Sequence, residues 1–212
     1  MQQTPSRKWR PQFDDGPHHR AQIGFVCVAN ADLTERDMFA MKPDGVGVHF
    51  TRVRMPRECT IESLTSMEAV LDDAVSTLMP GRDDVSVLCY NCTSGSVIIG
   101  EEQIVAKLAA GRPDVKATTL LTGVIAALRA LGAGRLVIGT AYTDDINAEE
   151  ADYFRSQGFD VLDIQGLDLT TDTQMNRVTP EFLAEFAIAL DRPDADAIFL
   201  NCGAQPEAVS EL

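Results

Sequence analysis

The sequence predicts a parallel α/β protein built from two similar halves. Short apolar runs of strand length alternate with segments whose apolar residues recur at helical spacing, which is the pattern of parallel α/β structure. The stretches from Ile23 to Cys92 and from Arg135 to Cys202 have nearly equal length, and each fits a β-α-β-α-β unit. Each unit ends in a cysteine followed by small or hydroxyl residues. We therefore expect a structural duplication.

The elements of the first half follow from apolar runs and stop signals. The predicted strands are 23–28, 46–53, 85–90 and 115–118. A helix over 61–78 is expected because Thr60 is a suitable N-cap, apolar residues follow at helical spacing, and Pro80-Gly81 ends the pattern. A second helix is predicted over 98–110.

The second half repeats this order. A helix capped by Thr122 and ending at Leu131-Gly132 leads into it, and strands are predicted over 135–139, 159–164 and 197–201. Between them, helices are expected over 147–157 and from Thr179-Pro180 onward, where an N-cap is followed by proline at the first helical position.

These elements predict three regions. Residues 1–20 are polar and are expected to form a mobile tail, residues 21–118 the first lobe, and residues 119–212 the second lobe. Only ten residues follow Cys202, so the elements that would close the second lobe are expected to be missing.

Composition restricts the possible partners and the compartment. The formal net charge of −14 argues against nucleic acid or an anionic membrane surface as the main partner. No apolar run is long enough for a membrane helix, and residues 1–20 contain no secretion signal. The five cysteines are an odd number in a chain large enough to form its own core, which favours reduced thiols and a cytoplasmic protein.

The two repeated cysteines are the strongest candidates for catalysis. In open parallel sheets, ligands bind beyond the carboxyl ends of the strands, and both Cys92 and Cys202 follow such ends. Two halves that face each other would place the thiols on opposite walls of one cleft. The small residues after Cys92 allow backbone N–H groups to converge, which favours a thiolate and could also hold a substrate carboxylate.

Other chemistries are less well supported. The C-x-x-C spacing of Cys89 and Cys92 is open to a redox interpretation, but Cys89 belongs to the strand rather than to a helix start. No zinc, P-loop, dinucleotide or Ser-hydrolase motif is present, so no metal or cofactor is expected. Tyr142 follows a strand at the same edge as the thiols, and Asn30 takes the matching place in the first half.

Three motifs carry a resemblance to a known superfamily. The segments 90–95 (YNCTSG), 139–147 (GTAYTDDIN) and 200–203 (LNCG) resemble the aspartate/glutamate racemase superfamily, in its maleate isomerase and arylmalonate decarboxylase branch. Within that branch, segments 32–37 and 97–102 look most like the ectoine-utilisation protein A group.

The resemblance implies a fold and a site. It implies two flavodoxin-like lobes related by a pseudo-twofold axis, with a cofactor-free site between them. By position, Cys92 and Cys202 match the two family cysteines, and Thr93, Ser94, Tyr142 and Gly203 match groups that bind the substrate carboxylate. Asn30 matches a further binding residue only with a one-residue slip, since Ala31 takes the strict position.

The resemblance also bears on the substrate, a small carboxylic acid. Asp172 stands where the isomerases carry a substrate-binding Asn, so a dicarboxylate such as maleate is disfavoured, and an acid with a cationic or amide end, such as an ectoine derivative, fits better.

Three functions remain open. The leading prediction is a cofactor-independent isomerase or racemase that uses both thiols. A decarboxylase or C–N lyase that uses Cys202 alone and a non-catalytic small-molecule-binding protein are the alternatives. A homo-oligomer is possible in each case.

Overall fold

Two parallel sheets form the framework of the molecule. The computed structural model describes residues 6–202. The first sheet contains β1 (Ala21–Val28), β2 (Val46–Val53), β3 (Val87–Asn91) and β4 (Lys116–Thr119). The second contains β5 (Arg135–Thr140), β6 (Asp160–Gly166) and β7 (Ala197–Asn201). All strand pairs are parallel, so the prediction of two parallel α/β lobes is confirmed.

The strand orders reveal the duplication. The first sheet has the order β2-β1-β3-β4 and the second has the order β6-β5-β7. The first three strands of each half therefore share one arrangement, in which the earliest strand lies between the other two. Cys92 follows β3 and Cys202 follows β7, each directly after an asparagine. The repeated topology places the two thiols at equivalent ends of the two sheets.

Nine α-helices are described along residues 6–202. They are α1 (Thr34–Met41), α2 (Ile61–Ser66), α3 (Leu71–Ser76), α4 (Thr93–Ile99), α5 (Glu101–Gly111), α6 (Leu120–Ala130), α7 (Asp144–Ser156), α8 (Asp172–Met175) and α9 (Pro180–Ala189). The helix α9 begins as predicted, with the Thr179 hydroxyl accepting from the N–H of Phe182.

Several predicted helices differ from the observed ones. The single helix expected over 61–78 is divided into α2, a 3-10 turn (Met67–Val70) and α3. The helix expected over 98–110 begins at Thr93 and breaks at Gly100, whose φ of 98° is a conformation that glycine adopts readily. The cap of α6 is Thr119 rather than Thr122, because the Thr119 side chain accepts the N–H of Thr122. Helix α1 carried no prediction.

The larger hydrophobic core spans both halves. It contains residues under the first sheet, such as Leu88 and Tyr90, and continues into Tyr142, Ile146 and Met175 of the second half. A second cluster, which includes Leu136 and Phe154, fills the rest of the second half. The shared core fixes the sheets' carboxyl ends relative to each other.

The end of the segment expected as a tail contacts the first sheet. The backbone N–H of Arg20 donates to the Gly45 carbonyl at 3.0 Å, and the rings of His18 and His49 meet edge to face. Along the described residues, none of the helices combines the length and apolar character needed to cross a bilayer.

Candidate active site

One cavity of about 320 Å³ is lined by thiol, hydroxyl and carboxyl side chains from both halves. Cys92 and Cys202 both line it, together with residues from the starts of α4 and α8 and from the loop after β5. Helix α1 forms a further wall through Thr34, Asp37 and Met38. The structure therefore brings the two predicted thiols to one pocket of a size suited to a small organic molecule.

Cys92 is the N-cap residue of α4. Its Sγ accepts the backbone N–H of Gly95 at 3.3 Å and lies 3.7 Å from the Ser94 Oγ. These contacts favour the thiolate, as the sequence led us to expect, but burial has the larger effect and raises the pKa of Cys92 above its usual value.

The turn around Cys92 requires glycine at position 95. A Cβ atom there would lie 2.5 Å from the Tyr90 Oη and 3.0 Å from the Cys92 Sγ. Tyr90 is fully buried, and its hydroxyl lies 3.6 Å from the Met67 Sδ. The close packing of Gly95 is what allows its N–H to reach the sulfur.

Cys202 has a different environment. Its backbone is left-handed, with φ of 59°, a conformation uncommon for a residue with a side chain. Its Sγ lies 3.7 Å from the Met175 Sδ. Burial raises the pKa of Cys202 to about 12, although a hydrogen bond from Tyr142 opposes that rise. Burial thus disfavours the thiolate form at both cysteines.

A buried polar network lies behind the two thiols. Asn201 precedes Cys202, and its Nδ2 donates to both carboxylate oxygens of Glu150 at 2.7 Å. The Thr93 hydroxyl donates to the Asn201 Oδ1 at 2.5 Å. Glu150 is 1% exposed, and burial raises its pKa from 4.5 to about 7. The network ties the residue before Cys202 to the residue after Cys92.

The predicted binding residues have different placements. Thr93, Ser94 and Tyr142 line the cavity, and all three are buried. Asn30 does not line it: this exposed residue lies 3.4 Å from the Pro56 carbonyl oxygen and contacts Asp172. Its neighbour Ala31 lines the cavity instead, which agrees with the one-residue slip in the motif. Gly203 lies outside the described residues.

Several cavity residues were not predicted from the sequence. Cys59, interpreted as a packing residue, is buried and also lines the cavity. Asn176 and Asn91 line it as well. The Asn91 Oδ1 is buried without a hydrogen-bond partner among residues 6–202, so an acceptor is free beside Cys92. The shared Asn-Cys pairs 91–92 and 201–202 were the available signal for Asn91 and Asn201.

The residues weighed for redox or metal chemistry have other surroundings in the described part of the chain. Cys89 is buried in a separate small cluster with Phe25 and Val48, away from the cavity that Cys92 lines. Among residues 6–202, no group of three or more His, Cys, Asp or Glu side chains is placed to hold a metal ion.

Comparison with known proteins agrees with this arrangement. The sequence model of the arylmalonate decarboxylase family matches residues 60–210. A maleate isomerase from Nocardia farcinica is 24% identical over 195 residues, which are 87% of this chain and 76% of that protein. An arylmalonate decarboxylase from Bordetella bronchiseptica is 29% identical over 141 residues, or 65% of this chain and 58% of that protein.

A solved structure supports the fold. The Nocardia farcinica maleate cis-trans isomerase, in a cysteine-to-serine mutant with a covalently bound succinylcysteine intermediate, superposes with a TM-score of 0.77 at 23% identity. The superposition covers 88% of this chain and 80% of that one. Since the family model matches well over half of its residues, the chain belongs to the arylmalonate decarboxylase family, with maleate isomerases among its homologues.

Proposed function

We propose that this protein is a cofactor-independent isomerase or racemase of a small carboxylic acid, in which Cys92 and Cys202 act from opposite faces of the substrate. One observation carries the proposal: the two thiols follow equivalent strands of the two halves and line the same cavity of about 320 Å³. The covalent succinylcysteine intermediate of the Nocardia relative supports cysteine chemistry in a homologue.

The proposed reaction moves one proton in and one proton out. One thiolate removes the proton from the carbon next to the carboxylate, and the C–H electron pair moves into the carboxylate to give an enediolate. The other thiol returns a proton to the opposite face of that carbon, which inverts it. In a cis-trans isomerisation, the first thiolate instead adds to the double bond, the second thiol protonates the neighbouring carbon, and reversal after bond rotation restores the thiolate.

Hydroxyl and amide groups are proposed to bind the substrate carboxylate. The Ser94 hydroxyl and the Tyr142 hydroxyl lie at the cavity beside the two sulfurs. Donors held in place before the reaction stabilise the developing charge, which is commonly the largest catalytic contribution.

Deuterium exchange tests the proposal. The protein is incubated in deuterated water with maleate, an arylmalonate, and ectoine or hydroxyectoine derivatives, and products are followed by NMR. Deuterium next to the carboxylate, with the carbon skeleton intact, is the expected result. Ectoine derivatives belong in the panel because segments 32–37 and 97–102 resemble the ectoine-utilisation group.

Two outcomes identify the alternatives. Loss of carbon dioxide or of an amine, with activity retained in Cys92→Gly, identifies a decarboxylase or C–N lyase that depends on Cys202 alone. Binding of an acid by calorimetry without deuterium incorporation, loss of carbon dioxide or loss of an amine identifies a small-molecule-binding protein.

A further inference from the structure

A buried hydrogen bond joins the chain neighbours of the two thiols. Thr93 follows Cys92 and begins α4, and Asn201 precedes Cys202 and ends β7. The Thr93 hydroxyl donates to the Asn201 Oδ1 at 2.5 Å, and both side chains are buried. This hydrogen bond therefore connects a helix of the first half to a strand of the second half, one residue away from each cysteine.

Glu150 of α7 extends this connection, and the proposed reaction gives it no role. Its side chain is buried and is not among the residues that line the cavity. Both of its carboxylate oxygens accept the Asn201 Nδ2 at 2.7 Å, so its partner is a neutral amide rather than a cation. A buried carboxylate with such a partner is costly to the fold. Its one strong interaction is therefore the place to look for its function.

The carboxylate fixes the orientation of the Asn201 amide. An amide has a donor end and an acceptor end, whereas an ionised carboxylate only accepts hydrogen bonds. The Asn201 Nδ2 must therefore face Glu150, which leaves the Oδ1 to Thr93. The Thr93 hydroxyl must in turn donate, so its proton is engaged by the protein rather than free for a substrate carboxylate.

We propose that Glu150 is a positioning residue: by orienting the Asn201 amide, it maintains the hydrogen bond from Thr93 and with it the spacing of the two thiols. This inference rests on the proposed function, since it concerns the reaction of the same two thiols. The shared apolar core holds the halves together, while the hydrogen bonds hold the residues beside the sulfurs. Such precision matters, because a displacement of about 1 Å at a reacting group lowers a rate by about a hundredfold.

Two variants of Glu150 test this role without a substrate. Glu150→Gln keeps an acceptor for Asn201, whereas Glu150→Leu has none. Both variants remove the negative charge that raises the pKa of Cys202, so the difference between them measures the hydrogen bond and not the charge. Alkylation of Cys92 by iodoacetamide is followed by mass spectrometry of its peptide. We expect Glu150→Leu to be alkylated about fivefold faster than Glu150→Gln, because the start of α4 opens more readily when one hydrogen bond is lost.

A double-mutant cycle identifies the route of the effect. In a Thr93→Val background the hydrogen bond to Asn201 is already absent, so the two Glu150 variants should be alkylated at rates within about twofold of each other. Thr93→Ser keeps the hydroxyl and should be alkylated more slowly than Thr93→Val, a comparison that serves alone if Glu150→Leu does not fold. Leu128→Ala is the stability control, since Leu128 is buried in the second cluster and does not line the cavity. Circular dichroism verifies that each variant folds.

Kinetics of deuterium exchange provide the second measurement. Glu150→Leu should lower kcat by about a hundredfold and change KM by less than about threefold, because the thiols are displaced while the carboxylate-binding groups remain. Glu150→Gln should keep at least about a third of the wild-type kcat. Leu128→Ala should keep kcat per folded molecule, since a loss of stability alone reduces the amount of folded protein and not its rate.

The outcomes separate this inference from the proposed function. Equal alkylation of Cys92 in Glu150→Gln and Glu150→Leu would overturn the positioning role, and so would a loss of kcat in Glu150→Gln as large as in Glu150→Leu. A difference between the two that persists in Thr93→Val would overturn the route through Thr93. If the alkylation rates differ as expected but no acid exchanges deuterium, the positioning of the cysteines stands and the two-thiol reaction fails.

Discussion

The two halves of the molecule place a cysteine at the same topological position but support it differently. In the first half, a backbone N–H and a hydroxyl approach Cys92 at the start of α4. In the second half, Cys202 has a left-handed backbone and lies beside Tyr142. The strand order determines where each thiol lies, while local contacts determine how readily it ionises. The two thiols are therefore not chemically equivalent.

The asparagines before the cysteines show the same contrast. Both polar atoms of the Asn201 side chain are hydrogen-bonded: its Nδ2 donates to Glu150, and its Oδ1 accepts from the Thr93 hydroxyl. The amide of Asn91 donates to the Thr34 hydroxyl at 3.0 Å, but its Oδ1 has no partner in the described structure. The second half thus uses its asparagine to stabilise the fold, whereas in the first half the asparagine beside the cavity keeps a buried acceptor without a partner among residues 6–202.

The largest expected effect comes from removing either thiol. Cys92→Ala and Cys202→Ala should each lower deuterium exchange by about a thousandfold or more, because each variant loses a proton-transfer group. Cys27→Ala serves as the control, since Cys27 is buried in β1 and does not line the cavity. Full exchange in either cavity variant would show that the halves do not act as a pair.

The next largest effect is the pH dependence of the free energy of unfolding, to which the buried Glu150 of the second half contributes. Folding raises the pKa of Glu150 from 4.5 to about 7, so the folded state holds this proton more tightly than the unfolded chain does. As pH rises from 4.5 to 7, the unfolded chain loses the proton first, and the free energy of unfolding falls by about 3 kcal/mol.

Glu150→Gln should remove this contribution while keeping an acceptor for Asn201. Urea unfolding of both proteins at pH values from 4.5 to 8 measures the difference, and other groups cancel because both proteins contain them. Parallel stability curves would contradict the assigned role of Glu150.

A smaller loss of stability is expected from a substitution at Gly95, in the turn that follows Cys92 at the start of α4. Gly95→Ala should lower the free energy of unfolding by about 1 to 3 kcal/mol, because its Cβ would overlap the buried Tyr90 hydroxyl. Gly123→Ala in α6 is the matched control, since nothing lies within 4 Å of its Cβ position. That control should be neutral or slightly stabilising. Equal losses in both variants would exclude crowding at Cys92 as the cause.

The sequence was sufficient to predict the parallel strands and the placement of Cys92 and Cys202 at one cavity. Strand periodicity and the position of each cysteine depend on local pattern and topology, and both are visible in one chain. The break at Gly100 was not predicted, because glycine within a helical pattern is also tolerated there. Helix α1 was not predicted, because none of its residues is fully buried and its apolar pattern is weak.

The charges that surround the two thiols could not be predicted from the residues adjacent to them in the sequence either. Cys59, in the segment just before α2, and Glu150, in α7, influence the thiols electrostatically. These interactions exist only after the two halves pack together. The amides near Cys92 were predicted from the small residues after it, but the depth of burial that outweighs them was not. Burial depends on every neighbour in the fold, and the sequence around one residue does not encode it.

The smallest change in stability is expected at Asn91, whose buried Oδ1 has no hydrogen-bond partner among residues 6–202. Asn91→Ala should change the free energy of unfolding by less than about 1 kcal/mol, since it removes one hydrogen bond and one buried acceptor that has no partner. The KM for the substrate identified by deuterium exchange should rise while kcat changes little, because Asn91 lines the cavity and an amide side chain moves no proton in the proposed reaction.

Asn201→Ala provides the opposing case. It leaves the buried Glu150 without its donor and should lower the free energy of unfolding by about 2 kcal/mol or more. If Asn91→Ala proves as destabilising as Asn201→Ala and leaves KM unchanged, Asn91 serves the fold, as Asn201 does, and has no role in binding.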